Sequence, residues 1–137
     1  MKIVVTDNIA ACHALRRRVF IDEQGVSVED EMDDLDGEAI HFLATVDGEP
    51  VGTARVLVRD QTAKIGRVCV AKSQRGTGLG VALMTATIEW AREAGLSTAK
   101  LSSQTQAISF YERLGFRAFG PEYDDAGIPH RDMERRL

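Results

Sequence analysis

Cysteine is almost missing from this chain: Cys12 and Cys69 are the only two. They have neither the density of a secreted disulfide scaffold nor metal-ligand spacing, so no metal is expected and both read as reduced thiols. No apolar run approaches the ~18 residues of a membrane span. The start, Met1-Lys2-Ile3-Val4-Val5-Thr6-Asp7, turns acidic too soon for a signal peptide, which makes the cytoplasm the expected location. A basic balance is lacking too, and the formal net charge of −4 argues against a nucleic-acid surface. Repeats, low-complexity tracts and linkers are absent, so residues 1–137 read as a single domain.

What charge there is lies unevenly. Glu29, Asp30, Glu31, Asp33, Asp34, Asp36 and Glu38 hold seven of the 21 acids within ten residues that contain no base. Such a block reads as a solvated loop; the alternative is a lip that attracts a cation.

The periodicity predicts a mixed arrangement. Lys2 to Val5 reads as a short strand, and Asn8 as the cap of an amphipathic helix carrying Ile9, Cys12, Leu15, Arg16, Val19 and Phe20, ended by Gly25. Ala39 to Val46 and Val51 to Val58 form a hairpin across Asp47-Gly48-Glu49-Pro50, and Ala63 to Val70 is a third strand. A helix from about Gly78 carries Leu79, Leu83, Ile88, Trp90 and Ala91 and stops at Gly95. Thr98 to Ser102 is the next strand, Ala107 to Leu114 a helix, and Arg117 to Phe119 and Arg131 to Arg136 are closing strands. A meander followed by strand-helix-strand-helix-strand belongs to the mixed α/β (α+β) class.

The most informative stretch joins the third strand to the second long helix through Arg75-Gly76-Thr77-Gly78-Leu79-Gly80. Glycines admit a ligand close to the backbone, and the first turn of a helix aims free N–H groups back at it, which makes an anion site. A nucleotide-hydrolysing P-loop requires Gly-Lys-Ser/Thr here, and the chain has Gly78-Leu79-Gly80. A dinucleotide fingerprint needs a glycine where Val81 stands.

Arg-x-x-Gly-x-Gly after a strand resembles the GNAT superfamily of acyl-CoA-dependent N-acyltransferases. Ala107-Ile108-Ser109-Phe110-Tyr111-Glu112-Arg113-Leu114-Gly115-Phe116 is similar to that family's second signature, Ala-x-x-Phe-Tyr-x-x-x-Gly-Phe. Glu23-Gln24-Gly25-Val26 and Gly127-Ile128-Pro129-His130 resemble a subgroup of small bacterial acetyltransferases. The resemblance implies the GNAT fold, with a mixed sheet of about six to seven strands and about four helices.

It also implies a set of site residues. Amides of Arg75, Gly76, Thr77, Gly78, Leu79 and Gly80 would hold the coenzyme A pyrophosphate. The sheet would splay after Val70, so that Val68, Cys69 and Val70 face pantetheine, with the backbones of Val68 and Val70 pairing to it as a strand edge would. Cys69 itself reads as an ordinary strand side chain.

The implied activity is an acyltransferase moving acetyl from acetyl-CoA, as co-substrate, to a primary amine of a small molecule by direct attack. Alternatives are a non-catalytic acyl-CoA-binding module and a protein acetyltransferase. Tyr111 matches the family's general acid. His130, on a Gly-Pro loop, is the candidate base, because histidine suits proton transfer near neutrality. Arg67, Gln104 and Glu31 are candidate acceptor contacts. No nucleic acid or membrane partner is expected, and a homodimer is left open.

Overall fold

A computed structural model describes residues 1–137. No helix in it is long and apolar enough to cross a membrane. One seven-stranded sheet runs through the molecule in the order β1-β2-β3-β4-β5-β7-β6, built from β1 (Lys2–Thr6), β2 (Ile40–Val46), β3 (Glu49–Arg59), β4 (Thr62–Val70), β5 (Thr98–Gln104), β6 (Arg117–Asp125) and β7 (Ile128–Arg136). All neighbours are antiparallel except β4 and β5. The helices are α1 (Ile9–Arg16), α2 (Val28–Glu31), α3 (Leu79–Glu93) and α4 (Ile108–Glu112).

Alternation along the strands separates two faces. Ala63, Ile65, Ala99, Leu101 and Met133 are buried on one, with the Leu79, Leu83, Met84, Ile88 and Ala91 stripe of α3 in the same core cluster. Trp90 meets Phe42 edge-on at 6.2 Å. Each fully buried aliphatic side chain contributes roughly 1.5–3 kcal/mol, so this stripe secures the helix whose N-terminus forms the Gly-rich turn. Lys64, Lys100 and Ser102 stand on the other face and remain exposed.

The Asn8 cap is present, its side chain accepting from the Ala11 amide at 3.2 Å. The helix it starts does not run on as one α-helix. From Arg17 to Glu23 it widens into a π-helix, which keeps Val19 buried while Phe20 and Gln24 face a cavity. Periodicity at 3.6 does not reveal this, because a wider turn rephases the stripe.

The closing strands are longer than expected. β6 and β7 meet at a tight turn, Ala126-Gly127, so His130 stands on a strand and not on a loop, opposite Gln104 of β5 and Tyr123 of β6. Gly120-Pro121 and the run of aspartates have poor strand propensity; residues 120–122 have no partner on β7, where the register is irregular, and pairing of Tyr123, Asp124 and Asp125 with His130, Pro129 and Ile128 holds the strand beyond them.

Candidate active site

Strands β4 and β5 run side by side from Thr62–Thr98 to Ile65–Leu101 and then part. Between the pairs Thr53–Cys69 and Arg55–Gly66, Ala54 faces two residues, Arg67 and Val68, which is a bulge. Arg67 has a φ of 51°, a left-handed conformation that costs a non-glycine residue roughly 1–3 kcal/mol. The extra residue bends and twists β4 where it leaves β5.

Beyond the bulge, the Ala71 amide donates to the Val51 carbonyl at 2.7 Å. Gly52–Val70 is therefore a non-hydrogen-bonded pair, whose own N–H and C=O groups point away from β3 and β4's mutual ladder. Val70 turns its backbone into the gap, and Val68 lies on the same stretch without a β5 partner. Cys69 does not join them. It pairs with Thr53, its side chain is buried, and burial pushes its thiol up to about 12, which suits an inert residue.

The amides from Gly76 to Val81 find no acceptor within the chain; the first α3 hydrogen bond runs from Ala82 to the Gly78 carbonyl at 3.1 Å. They sit at the positive end of the helix dipole. Gly76 and Gly78 have φ of 78° and 86°, and a Cβ on either would meet nothing within 4 Å. Gly80 is different, because a Cβ there would lie 3.3 Å from Phe110 Cζ. Leu79 buries its side chain, and the Thr77 hydroxyl donates to the Gln74 carbonyl at 2.5 Å, so both offer the loop their amides. Arg75 turns back: its Nε donates to the Val70 carbonyl at 3.2 Å and its Nη2 lies 2.7 Å from Glu23.

A cavity of about 820 Å³ opens at the splay, walled by the π-helix and α2 on one side and by β6 and β7 on the other; Tyr111, His130, Arg67 and Val68 all line it. Tyr111 packs edge-on against Phe110 and Phe116, at 5.0 and 6.1 Å. Burial pushes its phenol up to about 12, so it stays protonated and can donate. The His130 Nδ1 lies 2.7 Å from the Ile128 carbonyl, an oxygen that only accepts, so Nδ1 carries a proton, and in the neutral ring Nε2 is the nitrogen with the lone pair. The ring stacks on Tyr123, 6.2 Å between centroids.

The acidic block is a solvated face only in part: Glu29, Asp30, Asp34 and Glu38 are exposed, whereas Glu31, Asp33 and Asp36 are drawn inward. Glu31 is 3% exposed and accepts from the Arg16 side chain, so it belongs to a buried ion pair and is no free acceptor contact. Asp36 takes Arg16 Nη1 at 2.8 Å, Arg55 Nη1 at 3.0 Å and His13 Nε2 at 2.9 Å. Burial works against its charge, yet the hydrogen bonds from Arg16, His13 and Arg55 hold the carboxyl well below the usual range. Asp33 takes Arg55 Nη2 at 2.6 Å and Arg67 Nη2 at 3.2 Å. Three arginines thus balance three carboxylates. His41 is buried with its Nε2 2.9 Å from the Asp36 carbonyl, on this network and off the cavity lining. Gln104 lines the cavity, but its amide already bonds Gln24 at 2.8 Å and accepts from Gln106.

The network itself escapes sequence reasoning, although one signal was present. Arg16 falls on the apolar stripe with Cys12, Leu15 and Val19, and Arg55 sits inside an apolar strand; a charge in either place requires a buried partner. A second group, Ser102, Tyr123 and Asp132, links β5, β6 and β7, with the Tyr123 hydroxyl donating to Asp132 at 2.6 Å and meeting Ser102. Only strand register reveals it.

Residues 9–137 match the acetyltransferase (GNAT) domain family. The chain belongs to that family. Among curated relatives it is 40% identical to the uncharacterized N-acetyltransferase YjcF of Bacillus subtilis, over 97% of this chain and 98% of that protein. Among solved structures, an acyl-CoA N-acyltransferase from Pseudomonas aeruginosa superimposes with a TM-score of 0.88 at 30% identity, covering 98% of this GNAT chain and 99% of that one. A Bacillus subtilis acetyltransferase solved in complex with CoA shares the fold at 19% identity, with a TM-score of 0.78 over 99% and 98% of the two chains.

Proposed function

We propose that this GNAT chain moves an acetyl group from acetyl-CoA to a primary amine of a small molecule by direct attack in a ternary complex. One observation carries the reading: β4 parts from β5 after Ile65, its Val68 lines the same cavity as Tyr111, and it leads into a turn whose Gly76 to Val81 amides have no acceptor in the chain. Amides at a helix N-terminus receive the pyrophosphate, while the free edge of β4 pairs with the pantetheine amides. A neighbour of the same fold has been solved in complex with CoA, which supports a CoA-derived co-substrate.

The residues divide the proton work. An alkyl ammonium, with a pKa near about 10, must lose a proton before its nitrogen attacks the thioester carbonyl. His130 Nε2 accepts that proton. The C–S bond breaks as the new C–N bond forms, the Tyr111 hydroxyl donates to the departing sulfur, and the second proton shed by the acylated nitrogen passes through solvent to restore the Tyr111 hydroxyl. Cys69 plays no part, so no acyl-enzyme forms.

Calorimetry with acetyl-CoA, followed by a panel of amines with free thiol as readout, tests this. Binding with transfer to amines is expected. Binding without transfer to any amine or peptide would make the chain an acyl-CoA-binding module, and faster transfer to peptides than to free amines would make it a protein acetyltransferase.

A further inference from the structure

Four cationic and five carboxylate side chains line the cavity, yet not every cationic donor is taken. Arg67 offers five N–H donors, yet its hydrogen bonds to Asp30, Glu31 and Asp33 all come from Nη2. Its Nε is buried without a hydrogen bond, 3.9 Å from Glu31 Oε1. Burial and the neighbouring Arg55 pull the guanidinium pKa down against the opposing pull of Asp33 and Glu31.

Two further cations share the floor. Lys64 and Lys100 are direct neighbours across the parallel β4–β5 ladder, both line the cavity, and neither takes part in an ion pair. Lys100 Nζ lies 5.9 Å from the Phe119 ring centroid. Glu134, opposite Lys100 in register, reaches Arg117 instead. Like charges side by side in a sheet destabilise it, and no salt bridge in the chain offsets these two.

The lining carboxylates do not fill this role. Glu31 and Asp33 are held by Arg16, Arg55 and Arg67, and Asp132 by Tyr123. Asp30 and Asp125 also line the cavity and are exposed, and neither forms an ion pair with Arg67, Lys64 or Lys100, Asp30 meeting Arg67 through its carbonyl at 3.2 Å.

Building on the amine-acetylation reading, on which this depends, we propose that the acceptor is an amine that also carries an anionic group, a carboxylate or a phosphate, and that Arg67, Lys64 and Lys100 receive it. The planar guanidinium suits two oxygens of either group. An anion seated there points the amine along β5 towards Gln104 and the His130 opposite it.

The test uses matched acceptors with saturating acetyl-CoA at fixed ionic strength: alanine against alaninamide, glutamate against its diamide, and phosphoethanolamine against ethanolamine. The anionic member of at least one pair should show kcat/KM higher by roughly tenfold to a hundredfold, the scale of a hydrogen bond to a charged group. Which pair shows it separates carboxylate from phosphate. The double variant K64Q/K100Q, changed at two exposed positions, should lose most of that preference through a raised KM for the anionic member. Arg67→Lys, which keeps the charge but loses the fork, should raise KM for the anionic member. Neutral members used as well as the anionic ones, or no turnover of any anionic member by protein that binds acetyl-CoA in calorimetry, overturns this inference and leaves the acetyl-CoA reading standing. Failure to bind acetyl-CoA removes both.

Discussion

A Cβ placed on Gly80 would approach Phe110 Cζ to 3.3 Å, so the third glycine of the turn serves the packing of α3 against α4, while Gly76 and Gly78 open towards solvent. Their substitutions should part accordingly. Gly78→Val places a branched side chain at a φ of 86°, costing about 1–2 kcal/mol of stability, and projects it over the free amides; calorimetry should show CoA affinity reduced at least tenfold. Gly80→Ala should lower the melting temperature and, by shifting Phe110 and its neighbour Tyr111, lower kcat, while CoA affinity changes little. Equal affinity losses in both variants would contradict this division.

Tyr111→Phe removes the donor and keeps the ring between Phe110 and Phe116. Turnover should fall roughly a hundredfold, within the usual range for general-acid loss, with acetyl-CoA affinity unchanged by calorimetry. The raised phenol also has a stability consequence. The folded protein holds this proton more tightly than the unfolded chain, so the contribution is fully present below about pH 10 and is lost as pH climbs towards about 12. Alkaline urea titrations should show the wild type losing stability over that window more steeply than the Phe variant.

Asp36→Asn leaves Arg16 and Arg55 facing a neutral group in a buried setting. Unfolding free energy at pH 7 should drop by about 3–5 kcal/mol, the scale for breaking a buried charge network from one side. Because the native carboxyl is held below its ordinary value, its stabilisation is complete above about pH 4 and declines as the solution is acidified through the folded pKa. Wild type and variant should therefore converge in acid, and a constant gap down to pH 2 would show that Asp36 acts through packing and not charge.

His130→Ala should slow transfer at neutral pH and partly recover in alkaline buffer, where free amine accumulates without help. The comparison needs both full pH profiles, since the acceptor's own ionisation raises every rate. Parallel profiles of similar height would assign deprotonation to solvent.

The parts legible in the sequence are those set by local rules. The Gly-rich turn, the Asn8 cap, the Asp47-Gly48 hairpin and the α3 stripe follow from backbone geometry and short-range periodicity, and they locate the free amides; the gap after Val70 and the role of Tyr111 follow from the resemblance to the GNAT signatures instead. The parts that were missed depend on distant partners. Glu31 and Asp36 look like surface acids until Arg16 and Arg55, from another helix and another strand, close over them. His130 reads as a loop residue until β5 and β6 pair with β7 on both sides. The π-helix is invisible because no residue type demands it.

The Arg75 clamp ties the two halves of the cleft together. Through Glu23 it grips the π-helix, whose next residue, Gln24, reaches across to Gln104, so the Gly-rich turn and the far wall are linked by a chain of polar contacts. Seating a diphosphate against the turn would brace that wall before the second substrate arrives. Steady-state kinetics should then follow a compulsory order with the coenzyme first, and Glu23→Gln should relax it towards random addition.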